Sequence, residues 1–87
     1  MYNLQELSKE YKIFKEMETE FFDTISSKIK EKRKSKKFTQ EEMSSILNIT
    51  RTNYNHIENG NVEISLKKFI RICLILDIKP EEILDAK

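Results

Sequence analysis

One glycine, Gly60, and one proline, Pro80, are the strong helix breakers in a chain of 87 residues. Each costs roughly 1–3 kcal/mol inside a helix, so a chain this poor in them favours helix over most of its length. No stretch alternates apolar and polar residues as a half-buried strand would, and no repeat or low-complexity tract is visible. The length suits one small domain with, at most, an appendage, and a core of modest stability. The longest unbroken apolar run, Ile72 to Leu76, is far too short to span a membrane. The opening MYNLQELSKEYK is polar and mixed, unlike a signal peptide. A cytoplasmic protein with no membrane partner is therefore expected. Cys73, the sole cysteine, excludes an internal disulfide and reads as a small core residue in ICLIL.

The helices announce themselves at their starts. Thr39 is followed three residues later by Glu42, the spacing of a capping box, with Phe38 and Met43 at the flanking staple positions. Thr50 repeats the cap with Ile49 and Tyr54 as staple, and Ser65 repeats it with Ile64 and Phe69. Each cap is worth about 1 kcal/mol. The first of these helices ends near Leu47, leaving Asn48 and Ile49 as the whole connection to the next. Asn tolerates the left-handed backbone such a turn needs. Asn59-Gly60 ends the second helix. The third, about 65–77, is apolar over most of its surface and is expected to be the central buried helix. Pro80 opens a short last helix through Ile83 and Leu84.

Upstream, Leu4, Leu7, Tyr11, Phe14, Phe21 and Ile25 follow a three-four spacing on one face of a helix over 3–22, with Glu18 interrupting and Met17 beside it. A further helix over 24–35 turns Ile25 and Ile29 inward. Asp23 or Thr24 could cap it afresh, or the two helices could be continuous, since no breaker separates them. The amphipathic segment 1–22 is thus distinguished from a domain over 23–87.

Net charge is +1, but it is unevenly spread. Residues 1–27 hold six acids and three bases, 28–37 seven bases and one acid, and 38–87 eight acids and six bases. The basic run is either a solvated helix end or a seat for phosphates. In the helix begun by Thr50, Tyr54 and Ile57 face inward with Glu58 at their edge, which leaves Arg51, Thr52, Asn55, His56 and Asn59 outward. A helix held across so short a turn is a helix-turn-helix arrangement, whose second helix enters the DNA major groove. Asn pairs with an adenine edge, Arg with guanine, and Thr offers a hydroxyl or a methyl. A merely solvated face would favour Lys, Glu and Gln, which are better helix formers.

Residues 24–86 resemble the Cro/repressor (Xre-type) helix-turn-helix family. The likeness runs through Thr39-Gln40-Glu41-Glu42, Leu47, Ile49, Thr50-Arg51, Ile57-Glu58, Gly60, Ser65-Leu66 and Pro80-Glu81-Glu82-Ile83-Leu84. It implies an all-α, lambda-repressor-like five-helix bundle, here with an extra N-terminal amphipathic helix, binding palindromic operator DNA as a homodimer. By position, Arg51, Thr52, Asn55 and His56 would read bases. Gln40 would bond a phosphate and steady a reader, and Arg33, Thr39, Asn59, Asn61 and Lys67 would contact the DNA backbone. The chain departs from the pattern at Asn48, where Gly is usual, and at Tyr54, a large side chain that could hold the motif helices apart or reach DNA. It also carries Leu74 and Ile75 together, and this surface with the extra N-terminal stripe suggests that the 3–22 helix docks there or builds a dimer.

Three classes of function suit the sequence to different degrees. A dimeric DNA-binding repressor fits the reading face. An antitoxin or anti-regulator would use residues 3–22 to hold a protein partner. An enzyme fits poorly: His56 and Cys73 are each alone, so no zinc site is expected, and no Gly-rich phosphate loop exists. No metal or cofactor is expected.

Overall fold

The computed structural model describes residues 4–85, with side chains described for Lys9 and from Tyr11 onward. It has five helices: α1 (Leu4–Ser35), α2 (Gln40–Leu47), α3 (Arg51–Glu58), α4 (Leu66–Leu76) and α5 (Pro80–Leu84). No strand occurs among the described residues.

The first helix is 32 residues long. It joins the two N-terminal helices into one, the continuous alternative. Neither Asp23 nor Thr24 caps a new start. The Thr24 hydroxyl instead donates to the Glu20 carbonyl one turn back, at 3.0 Å, as Thr19 does to Lys15 at 2.9 Å. With no breaker present, the backbone ladder simply continues. At 1.5 Å per residue the helix is about 48 Å long, close to the 49 Å longest dimension of the molecule. The extra N-terminal helix is therefore an arm of α1, and the arm overhangs the bundle.

The core draws on every helix: Ile25 and Ile29 from α1, Met43 and Leu47 from α2, Tyr54 and Ile57 from α3, Phe69, Ile72, Cys73 and Leu76 from α4, and Ile83 from α5. Phe38, Ile49 and Ile64, the expected staple residues, pack against its rim. The central role expected of α4 is only half right. Four of its side chains are buried, yet Leu66, Ile70 and Leu74 form an exposed stripe on its other face. The arm does not cover that stripe. Tyr11, Phe14 and Met17 are themselves exposed, and an unbroken α1 cannot fold back to reach it. Leu4 and Leu7, which open the N-terminal stripe, lie outside the described side chains.

All three expected caps are present. The Thr39 hydroxyl accepts from the Glu42 N–H at 3.0 Å, while Glu42 Oε1 accepts from the Thr39 N–H at 3.0 Å. Thr50 accepts from the Asn53 N–H and Ser65 from the Lys68 N–H. Pro80 opens α5, where the Lys79 N–H donates to Glu82 at 2.7 Å. Asn48 takes the left-handed conformation (φ 57), as does Gly60 (φ 72). Glycine adopts that backbone without the steric cost other residues meet.

Thr39→Ala is expected to lower unfolding free energy by about 1 kcal/mol in urea titration, whereas Thr19→Ala changes it by less than about 0.5 kcal/mol. The Glu42 carboxyl is held below its ordinary value of 4.5 by the Thr39 backbone N–H and then by its hydroxyl. A depressed carboxylate stabilises the fold above its unfolded pKa and ceases to as pH falls through the folded one. The stability gap between the wild type and Glu42→Gln should therefore narrow as pH drops below 4.5.

Candidate nucleic-acid interface

Three short-range devices aim α3. The left-handed Asn48 reverses the chain, and the Ile49 N–H closes the turn on the Ser44 carbonyl at 3.0 Å. Thr50 then starts α3 at once. Tyr54, Ile57 and Glu58 are buried by the bundle, while Arg51, Thr52, Asn53 and Asn59 stand exposed. Asn55 and His56 are half-buried. The outward edge of α3 is thus polar, uncharged except for Arg51, and open toward the N-terminal end of the helix.

Behind that edge lies a hydrogen-bonded chain that joins three helices. Arg33, near the end of α1, donates from Nε to Glu58 Oε2 at 2.6 Å and from Nη2 to Glu58 Oε1 at 3.2 Å. Its Nη1 donates to the Phe38 carbonyl at 2.6 Å. Gln40, the first residue of α2, donates from Nε2 to Glu58 Oε1 at 3.2 Å and to Asn55 Oδ1 at 3.2 Å. The buried carboxylate therefore orients both the guanidinium and the glutamine, and the glutamine orients Asn55. An amide held this way keeps its Nδ2 donors and one Oδ1 lone pair for an adenine edge, the two functions that edge requires.

This geometry corrects the expectation for Arg33. Its side chain is 9% exposed and paired with a fully buried Glu58, so it serves the scaffold and is not presented to a phosphate. Each nitrogen of its fork already donates to a protein group, and burial keeps the remaining N–H groups from solvent. Gln40 is bonded to Asn55, one of the expected readers. Tyr54 is wholly buried and its hydroxyl does not reach the surface. Burial, with Glu58 nearby, pushes its pKa well up, so it stays neutral. His56 is less open than helical spacing implies, with Nδ1 enclosed and unbonded among the described residues. Thr39, Asn59, Asn61 and Lys67 are exposed. The Thr39 oxygen is occupied as a cap. None of the side-chain bonds among the described residues ties Asn59, Asn61 or Lys67 to the Asn55 group.

The basic run divides as well. The Lys28 ammonium donates to the Asp85 carbonyl, and Lys32 lies 3.8 Å from Glu82. Both fasten α1 to the C-terminal end of the bundle. Lys30, Lys34, Lys36 and Lys37 remain exposed, and the last two sit in the turn that leads into α2 beside Gln40.

Glu58 is the residue that sequence reasoning undervalued. Its signal was present: it is the one acid on the inward side of α3, and a buried acid demands a cation.

Residues 27–87 match the helix-turn-helix domain family, and the chain belongs to that family. It is, in class, a helix-turn-helix DNA-binding protein of the kind that regulates transcription. The match begins inside α1, so the arm lies outside it. Comparison with curated proteins finds no match. No helix among the described residues is long and apolar enough to cross a membrane.

Arg33→Met strands a buried carboxylate and should cost about 3–5 kcal/mol in urea unfolding, while Arg33→Met combined with Glu58→Leu recovers most of that loss. A loss in the double variant equal to the sum of the single losses would show that the two residues do not act as a pair.

Proposed function

We propose that the protein is a sequence-specific regulator of transcription that binds double-stranded operator DNA as a dimeric repressor and reads the major groove with the helix over 50–59. The observation that carries this reading is the Gln40–Asn55 hydrogen bond, which joins the two motif helices at the surface and fixes an amide at the point where a groove would meet α3. Asn55, Arg51 and Thr52 read bases, with His56 at the margin of the contact. Thr39, Asn59, Asn61 and Lys67 stand near phosphates. Because Arg51 is the one cation on the reading edge, sequence-independent affinity comes from Lys34, Lys36, Lys37 and their neighbours. On a palindrome the two reading helices stand about 34 Å apart, one turn of duplex.

The exposed apolar arm favours a second reading, an antitoxin or anti-regulator that holds a protein partner through residues 3–22. Selection of bound fragments from a random DNA pool separates the two, since an enriched palindrome supports the first and no enriched motif at moderate salt supports the second.

On the selected site, Asn55→Ala and Arg51→Ala should each weaken binding by about 1–3 kcal/mol, with affinity for random DNA nearly unchanged. Lys34→Gln and Lys36→Gln should weaken both and reduce the slope of log affinity against log salt by about 1 each. An equal loss on both DNAs for Asn55→Ala would overturn base reading.

A further inference from the structure

The face of α1 that seals the bundle continues bare along the arm. At 3.6 residues per turn, Tyr11 occupies the same angular position as Ile29, and Phe14, Phe21 and Phe22 fall within about 60° of Ile25. Ile25 and Ile29 are 4% and 0% exposed, whereas Tyr11 and Phe14 are 64% and 67% exposed. One continuous surface is core at one end and solvated at the other. Short helices are marginal in water unless their apolar face is packed, and the unbroken backbone keeps the arm away from its own bundle. Its cover must come from another chain.

The charges on the stripe say which chain. Glu18 interrupts the stripe at its centre, and Lys15 flanks it, with its ammonium over the Tyr11 ring at 5.7 Å. Two arms laid parallel and in register would set Glu18 against Glu18 across a desolvated seam. Two arms laid antiparallel, about a two-fold axis between residues 16 and 17, set Lys15 of each copy opposite Glu18 of the other, and Tyr11 opposite Phe22. The arm is its own complement under that axis, as a two-fold interface requires.

The area is also adequate. Each aromatic side chain carries roughly 150–250 Å², and Tyr11, Phe14, Phe21 and Phe22 are one-third to two-thirds exposed. Two copies of these four offer on the order of 800 Å², and Met17 with the stems of Lys15 and Glu18 brings the total near the ~1,200 Å² at which stable interfaces begin.

We propose that the arm, residues 9–23, is the dimer interface, formed by antiparallel pairing with the arm of a second copy of this chain through Tyr11, Phe14, Phe21 and Phe22 and the reciprocal Lys15–Glu18 pairs. This names the surface behind the dimer in the proposed function and rests on that reading for its purpose, although its test does not need DNA.

The test is sedimentation equilibrium of the full chain. The wild type is a dimer at micromolar concentration. Phe14→Glu and Phe21→Glu, both at exposed positions, raise the dimer dissociation constant by roughly a hundred-fold. Leu74→Glu, on the exposed stripe of α4, leaves it unchanged. Lys15→Glu and Glu18→Lys each weaken the dimer by roughly three- to ten-fold, and the double variant Lys15→Glu/Glu18→Lys returns to within about two-fold of the wild type. A monomeric wild type, a dimer indifferent to Phe14→Glu, a dimer lost with Leu74→Glu, or a double charge swap no better than the single ones would each overturn the proposal. The arm variants keep Asn55 and Arg51, so monomers that still bind a half-site while failing on the full site locate the defect in pairing. Loss of half-site discrimination in Asn55→Ala dimers locates it in reading.

Discussion

The Arg33–Glu58 pair is the constraint around which the helix-turn-helix is arranged. A carboxylate with no solvent access is costly to bury and is tolerated only with its charge matched and its oxygens bonded. Here Arg33 supplies the charge and two bonds, and Gln40 supplies a third. Since a buried pair adds little net stability over a well-packed apolar alternative, its value lies in position. It draws the end of α1, the start of α2 and the last turn of α3 to one point. Asn55 inherits its orientation from that point through Gln40. Breaking the pair would therefore loosen the orientation of Asn55 as well as weaken the bundle.

The same pair changes the electrostatic picture. A run of seven bases between residues 28 and 37 looks like one phosphate-binding stripe. In the fold, three of the seven are engaged with protein groups: Arg33 with Glu58, Lys32 with Glu82 and Lys28 with the Asp85 carbonyl. Four lysines remain exposed. The exposed basic surface is thus smaller than the sequence suggests, and the outward edge of α3 is mainly uncharged amide and hydroxyl groups.

The arm and the bundle follow different physical logics along a single helix. Within the bundle, α1 is held by burial of Ile25 and Ile29. N-terminal to Phe22 the helix continues only because nothing in its sequence stops it, and its apolar face is left bare. The exposed stripe of Leu66, Ile70 and Leu74 on α4 is a second bare apolar surface, one that the geometry of α1 keeps the arm of the same chain from covering.

Much of this was legible from the sequence because it is local. Caps at Thr39, Thr50 and Ser65 act over three residues, the left-handed Asn48 over one, and the inward turn of Tyr54 and Ile57 follows from helical period alone. The absence of breakers between residues 3 and 35 permitted a continuous α1 without requiring it. What the sequence could not decide were the contacts between groups far apart in the chain. Arg33 and Glu58 are 25 residues apart, so nothing in local spacing distinguishes that arginine from the lysines around it. Helical period placed His56 outward but was blind to the rest of the fold that half-encloses it. Backbone propensity and capping are properties of a few adjacent residues, and so the capped helix starts and the turns were determined by sequence alone. Burial and ion pairing depend on which surfaces meet, and so only the tertiary structure decided which arginine is scaffold, which amide is aimed outward, and which apolar face is left bare.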